Sequence, residues 1–512
     1  MNYKFSKIIS ISLIFLAVLI GLYTRVFTYN NFISFGPDQI RDSIVYMNMK
    51  NGLWPALGPI APLNDNLGFH LFPLYHYLIG FFTLYAKDLN SQLLVNGILA
   101  FMAIPLFILF TYRLLENTNQ SIRLTLSGLA GLWLSVFVND IVNTNLAWNP
   151  SPMLFFIFLF LLVVDKLHRV KMRISLAEHF ILWTLLGIVT AFLSSLHTWS
   201  MVTFLPLFLF NSIYFTFFYY KIQHNRKLIY PFIGILYFLL FISTYLIGEI
   251  STGWINTQNM LSVINDSSQS IQTSLFEVLS RPFINYLLMV EKAYIVEPKY
   301  QFLALLFSVV TIFFGIFNFK GNKFLLGQII ISLMIYSLGI SFYSGEFKSR
   351  YQIIIWYMPI LTSILSLAYT PKNIYLKVFQ IFYTVVFITL SIYFNWNYTL
   401  NFLNRVYGDT KLIDTDEIIN ILTSLPDRST ICYPWGVGYD YYPQFKFIDQ
   451  YITLKAHILE NNCVNSEYYI HLKNIPASTT AFDTIPNQAR EYQNAEVVLE
   501  GSSFKVFRLS EI

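Results

Sequence analysis

The sequence predicts a polytopic α-helical membrane protein with a small α/β domain at its C-terminal end, and three observations carry that prediction. Of its 512 residues 55% are hydrophobic and only 12% are charged, where about a quarter of an ordinary soluble domain is charged. Uncharged apolar runs long enough to cross roughly 30 Å of hydrocarbon recur along most of the chain. After Tyr398 the composition changes to that of a soluble domain.

The N-terminus, Met1-Asn2-Tyr3-Lys4-Phe5-Ser6-Lys7, leads into an apolar run. No small-x-small cleavage site follows it, since Gly21-Leu22-Tyr23-Thr24-Arg25 matches one poorly, so the run reads as a retained first span. Apolar spans then follow one another at 8–26, 92–112, 124–140, 150–165, 178–196, 200–220, 229–247, 299–318, 324–343, 351–369 and 378–395, about eleven in all. A further apolar segment, 71–86, is short and broken by Pro73. Its length suits a re-entrant or juxtamembrane helix, which would set Pro73, Tyr75 and His76 at the mouth of a cavity.

Loop charges support that count. With Lys4 and Lys7 in the cytoplasm and 71–86 not crossing, the inner loops carry Arg113 and Arg123; Lys166, Arg169, Lys171 and Arg173; Lys221, Arg226 and Lys227; Lys320 and Lys323; and Lys372 and Lys377. Every inner loop is then basic, as the positive-inside rule requires, whereas a crossing at 71–86 would put all of them outside. Residues 1–398 are thereby a membrane domain with a first outer loop at 27–91 and a large outer loop at 248–298, and 399–512 are an extracytoplasmic domain. In that domain a helix is predicted at 414–424 and strands at 429–433, 467–472 and 495–509, the last turning at Gly501-Ser502-Ser503. On the outer side Cys432 and Cys463 are candidates for a disulfide, with two unrelated buried thiols as the alternative.

The formal charge of +5 is explained by the inner loops, and no dense basic stripe points to a nucleic acid. No P-loop, dinucleotide fingerprint or zinc-finger spacing is present, and the span interiors hold almost no ionisable residues. An ion-coupled transporter would normally need some near the midplane.

The polar residues gather on the outer face instead. Asp38 follows Gly36-Pro37 at the start of a predicted helix with Ile40, Ile44 and Met47 on one side. A carboxylate there commonly caps the helix, and the amides it caps also fix its direction. Arg41, three residues on, projects from the same side. The same face holds His70, Trp148-Asn149-Pro150, His197, Glu249 and Lys348-Ser349-Arg350-Tyr351. Several have plain structural readings beside the functional one: His70 and His197 as hydrogen-bonded histidines at element ends, Trp148 as an interfacial anchor, and Asp65 in Leu63-Asn64-Asp65-Asn66 as a turn residue.

Asp38-Gln39-Ile40-Arg41, then Met49-Lys50-Asn51-Gly52-Leu53-Trp54, then Phe72-Pro73-Leu74-Tyr75-His76-Tyr77-Leu78 resemble the first outer loop of GT-C glycosyltransferases that use lipid-phosphate sugar donors. In protein O-mannosyltransferases and aminoarabinose transferases of that superfamily, Asp-Glu-x-Arg, Gly-Asp-Trp and Lys-Pro-Pro-Leu-x-Tyr-Trp elements come in this order. The layout resembles theirs over about 1–370, and the motifs match at 36–78 and 148–150. Gln39 stands in place of the Glu, Leu53 in place of the Asp, and Leu71-Phe72 where the Lys would be.

The resemblance implies a glycosyltransferase of the bacterial inner membrane. It would move a sugar from a polyprenyl-phosphate donor to a hydroxyl of a glycan, lipid or protein on the outer face, with inversion and with Asp38 as general base. The departing phosphate needs cations or hydrogen-bond donors rather than a second acid. Arg41, His70, His197, Lys348 and Arg350 are candidates, with Tyr351 and Glu249 as further substrate contacts. The spacing demands no cofactor; a divalent cation, were one bound, would take oxygens from Asp38 with Asp65 or Glu249. A transporter or flippase of lipid-linked sugars and a catalytically silent protein of the same fold are the alternatives.

Overall fold

The computed structural model describes residues 3–28, 37–58, 60–64, 67–83, 91–145, 148–170, 175–222, 227–259, 280, 284, 294, 298–341, 349–408, 415–432, 458–460, 467–472, 496–500 and 504–508. Helix α1 (Tyr3–Leu22) runs on through a π-helical turn, Tyr23–Phe27, and α2 (Pro37–Lys50) follows. An antiparallel hairpin, β1 (Ile60–Asn64) and β2 (Leu67–His70), leads to the short α3 (Leu74–Thr83). The hairpin was not predicted, and its connection, with Asp65, lies outside the described residues.

Each predicted span is occupied by a helix or a broken pair of helices. These are α1; α4 (Ser91–Leu114); α5 (Gln120–Val136) with α6 (Val138–Thr144); α7 (Met153–Val170); α8 (Leu176–Leu196); α9 (Thr198–Lys221); and α10 (Ile229–Phe241) with α11 (Ser243–Ser251). They continue with α12 (Gln301–Phe317), α13 (Lys323–Ser341), a 3-10 segment (Ser349–Ile355) entering α14 (Met358–Ala368), and α15 (Ile374–Gly408). Among the described residues seven helices are long and apolar enough to cross a membrane, or up to nine if each bent pair is one span. The protein is an integral membrane protein. As expected of 71–86, α3 is short, with 10 residues.

The broken spans bend by 54° at α5–α6 and 55° at α10–α11. At the first, Phe137 adopts an extended conformation (φ −68, ψ 105), which interrupts the helical ladder. In hydrocarbon the freed backbone groups need other partners. α15 supplies two of them: Asn395 Oδ1 accepts from Val138 N–H at 3.1 Å, and the Thr399 hydroxyl donates to Val136 O at 3.3 Å. The core between spans is aromatic, with Phe107, Phe158 and Tyr357 buried and their rings 4.8 Å and 5.3 Å apart in sequence order.

Three loops predicted on the inner side meet in one polar knot. Arg169 pairs with Asp165 at 2.7 Å and with Glu116. Asn322 donates to Asp165 Oδ1 at 2.6 Å, while its backbone N–H donates to Leu114 O at 3.0 Å. The loops around 116, 169 and 322 therefore lie at one end of the bundle, which even-numbered crossings between them require.

The chain divides into two compact units. One comprises Met1–Phe27, Pro55–Phe81 and Leu94–Thr399; the other comprises Thr28–Trp54, Phe82–Leu93 and Leu400–Ile512. α2, with Asp38, therefore groups with the C-terminal residues. That unit contains α16 (Thr415–Ser424) and a five-stranded sheet of β3 (Thr430–Cys432), β4 (Ile458–Glu460), β5 (Tyr468–Leu472), β6 (Glu496–Glu500) and β7 (Phe504–Arg508) in the order β4-β3-β5-β7-β6. β3 runs parallel to β4 and β5, whereas β7 is antiparallel to β5 and β6. Ile421, Leu422, Leu425, Ile431, Ile470 and Val506 are buried in this unit. The predicted helix and strands are present, and β4 is additional. Cys432 is on β3; Cys463 and the 501–503 turn lie outside the described residues.

Candidate functional site

The end of the β1–β2 hairpin is held from two sides. Gly58 donates its N–H to Leu71 O at 2.9 Å, and its carbonyl is 2.6 Å from His70 Nδ1. A carbonyl only accepts, so His70 Nδ1 carries the proton. On the other side Asn256, 4% exposed, closes on the His70 backbone: its Oδ1 accepts from His70 N–H and its Nδ2 donates to His70 O at 3.1 Å. Asn256 Nδ2 also donates to the Tyr245 hydroxyl at 2.5 Å. The Tyr245 ring lies 4.3 Å from that of Phe72.

Glu249 explains how Asn256 reaches this position. After α11 the chain reverses through Gly253 (φ 68) and Trp254 (φ 65), a left-handed backbone that is costly for a bulky residue such as Trp. The fully buried Glu249 spans this turn, its Oε2 accepting from Thr257 N–H at 3.1 Å and the Thr257 hydroxyl at 2.6 Å. Predicted as a substrate or cation ligand, Glu249 thus has one oxygen committed to the turn. Its Oε1 is buried and makes no hydrogen bond among the described residues. Also among the described residues, no group of three or more His, Cys, Asp or Glu could hold a metal ion.

His197 is the junction of α8 and α9 and caps the latter. Its extended backbone (φ −164, ψ 148) lets Nδ1 accept from Trp199 N–H at 3.2 Å. The proton of its neutral ring is therefore on Nε2, the reverse of His70. Its ring is 5.2 Å from that of Tyr351, whose carbonyl accepts from the Tyr336 hydroxyl at 2.9 Å. Nearby, Asn149 donates to Leu196 O at 2.6 Å, and Trp148 Nε1 donates to Asn143 Oδ1 at 2.6 Å. The Trp148-Asn149-Pro150 motif thus braces the His197 turn, and Trp148 is tied to protein as well as suited to an interface.

Of the other predicted residues, Asp38 is in the first turn of α2 and Arg350 in the 3-10 segment, both described by backbone alone, while Lys348 lies outside the described residues. Arg41, half-buried, directs Nε and Nη2 to Asp42 Oδ1, each at 2.9 Å. Pro73, Tyr75 and His76 do not line an open mouth. They are buried, because the apolar face of α3 packs inward, and Asn96 Nδ2 donates to the Tyr75 hydroxyl at 2.9 Å.

Sequence reasoning missed an ion pair at the ends of two spans. Arg25 and Asp140 are buried and meet at 2.7 Å. The remaining Arg25 donors bond to the Leu134 and Ser135 carbonyls and the Thr24 hydroxyl at 2.8, 3.0 and 3.1 Å. The available signal was two opposite charges at the edges of otherwise uncharged spans.

No family profile matches the chain, and no curated protein matches it in sequence. Among solved structures it is similar to ArnT from Cupriavidus metallidurans bound to undecaprenyl phosphate, with 10% identity, 96% of this chain and 97% of that one covered, and a TM-score of 0.42. The apo state of the same protein gives 9% identity, coverage of 98% of each chain and a TM-score of 0.42. The oligosaccharyltransferase of Archaeoglobus fulgidus, in complex with Zn and sulfate, gives 11% identity, a TM-score of 0.49, and coverage of 85% of this chain and 61% of that one. The chain thus spans less than two thirds of the oligosaccharyltransferase.

Proposed function

We propose that the protein is a membrane glycosyltransferase that moves a sugar from a polyprenyl-phosphate donor to a hydroxyl of a glycan, lipid or protein acceptor at the outer face of the membrane. The observation that carries this reading is Asp38, in the first turn of α2, with Arg41 three residues on and the outer-loop elements following in order. In an inverting displacement Asp38 takes the proton of the attacking hydroxyl, while the anomeric bond to phosphate breaks and negative charge moves onto the departing phosphate.

The departing phosphate is met by donors. His197 is the candidate for that role: with Nδ1 accepting from Trp199 N–H, its neutral ring carries the proton on Nε2, and it sits at the positive end of α9. Tyr351, beside it, brings the 3-10 segment that carries Arg350. Arg41 is already countered by Asp42, which weakens it as a phosphate ligand. Glu249 has committed one oxygen to Thr257. The buried Arg25–Asp140 pair is closed by its own hydrogen bonds and offers no ion relay, which weighs against coupled transport.

The test is Asp38→Asn. It should abolish sugar transfer from a polyprenyl-phosphate donor in detergent while leaving the protein monodisperse; near-normal turnover rejects the assignment.

A further inference from the structure

Two histidines with the same description in the sequence have opposite tautomers in the structure. His70 gives its Nδ1 proton to Gly58 O at 2.6 Å, so the neutral ring presents a lone pair at Nε2. His197 accepts at Nδ1 from Trp199 N–H at 3.2 Å, so it presents N–H at Nε2. The two rings therefore suit different ligands. The oxygens of a phosphodiester only accept hydrogen bonds, and at neutral His70 they meet a second acceptor. A hydroxyl can donate to His70 Nε2.

We infer that His70 holds a neutral hydroxyl of the transferred sugar or of its acceptor, rather than the donor phosphate, and that Asn256 is its positioning residue. This deepens the glycosyl-transfer reading and rests on it.

The surroundings are built for this role. Asn256 is buried and grips both the N–H and the C=O of His70, so the backbone cannot rotate away from Gly58. Gly58 is in turn fixed through its N–H to Leu71 O at 2.9 Å. Tyr245 accepts from Asn256 at 2.5 Å and packs its ring 4.3 Å from that of Phe72, which fixes Asn256 from a second side. Behind Asn256, the Glu249–Thr257 clamp fixes the turn that delivers it. His70 Nε2 makes no hydrogen bond among the described residues, and the ring is half-buried rather than sealed.

The experiment is nitrogen NMR of the full-length protein in detergent with 15N-labelled histidine. His70→Asn identifies the His70 signals among the eight histidines. At pH 8 the expected result is a majority Nδ1–H tautomer for His70. Glycerol, used as a hydroxyl probe, should shift the Nε2 resonance, and dimethyl phosphate, a diester with no O–H, should leave it in place. A majority Nε2–H tautomer, or a response to dimethyl phosphate with none to glycerol, overturns the hydroxyl assignment.

Asn256→Leu, which removes both backbone bonds at similar volume, should lower the Nδ1–H to Nε2–H ratio by about ten-fold or more, the equivalent of one good hydrogen bond. An unchanged ratio overturns the positioning role. If that variant does not fold, Asn256→Asp replaces it, since it keeps the acceptor for His70 N–H and loses the donors. These readings need no sugar transfer, so they fail or succeed independently of the Asp38→Asn assay.

Discussion

Removing either charge of the buried Arg25–Asp140 pair should destabilise the fold strongly. At 2.7 Å, and with an effective dielectric constant of about 20, the attraction between the two charges is about 6 kcal/mol. Much of it offsets the cost of taking both ions out of water, so the net value of the pair is far smaller. Asp140→Leu does not recover that cost, because Arg25 stays fully buried with its charge uncompensated and two N–H bonds lost. The expected penalty is about 3–5 kcal/mol. Arg25→Met leaves Asp140 buried with its charge uncompensated and takes one donor each from the Leu134 and Ser135 carbonyls at the α5–α6 break, which keep bonds from Phe137 N–H at 3.2 Å and the Thr24 hydroxyl at 3.4 Å, so it should cost about as much. The double variant removes both buried charges and should cost clearly less than the sum. Unfolding by SDS in mixed dodecyl maltoside micelles, followed by loss of tryptophan fluorescence, measures all three. A penalty under about 1 kcal/mol for Asp140→Leu, or simple additivity in the double variant, refutes the reasoning.

Two further substitutions probe the hairpin end. Gly58→Ala would place its Cβ 2.5 Å from Leu71 O and 2.9 Å from Phe72 O, both backbone atoms that cannot swing aside. A loss of about 1–3 kcal/mol is expected in the same titration, and an unchanged midpoint would mean that the strand end is looser than these contacts imply. Glu249→Ala removes the acceptor for two Thr257 donors and should cost about 3 kcal/mol, whereas Glu249→Gln keeps an acceptor oxygen and should cost less than half of that. Equal losses in the two would show that the charge, not the turn clamp, is what the fold uses.

The helices were legible because hydrocarbon imposes length and composition on them, and each span drawn from the apolar runs is met by a helix or a broken pair. The basic loops were legible for a related reason, and three of them do converge through Arg169, Asp165 and Asn322. What could not be read was pairing across long separations. The β1–β2 hairpin contains Pro62 and a bulge, so it lacks the alternation that announces a strand. Arg25 and Asp140 are 115 residues apart, and Arg25 stood in the sequence as a residue just past a span. Tyr75 and His76 were expected at a cavity mouth because a short, Pro-broken segment suits a re-entrant helix, yet the packing of α3 buries them.

The site shows the same limit more sharply. A histidine in a sequence is one symbol, and its chemistry depends on which ring nitrogen the backbone claims. For His197 the claimant is the N–H two residues on, a local cap that a helix-start pattern could have suggested. For His70 it is a carbonyl 12 residues back, while the backbone of His70 itself is gripped by an asparagine 186 residues ahead, and no local pattern encodes that. In the sequence both rings are candidates for the same phosphate-binding role. Their tautomers separate them into an Nε2–H donor and an Nε2 acceptor, and the proposed transfer from phosphate to hydroxyl would use one of each.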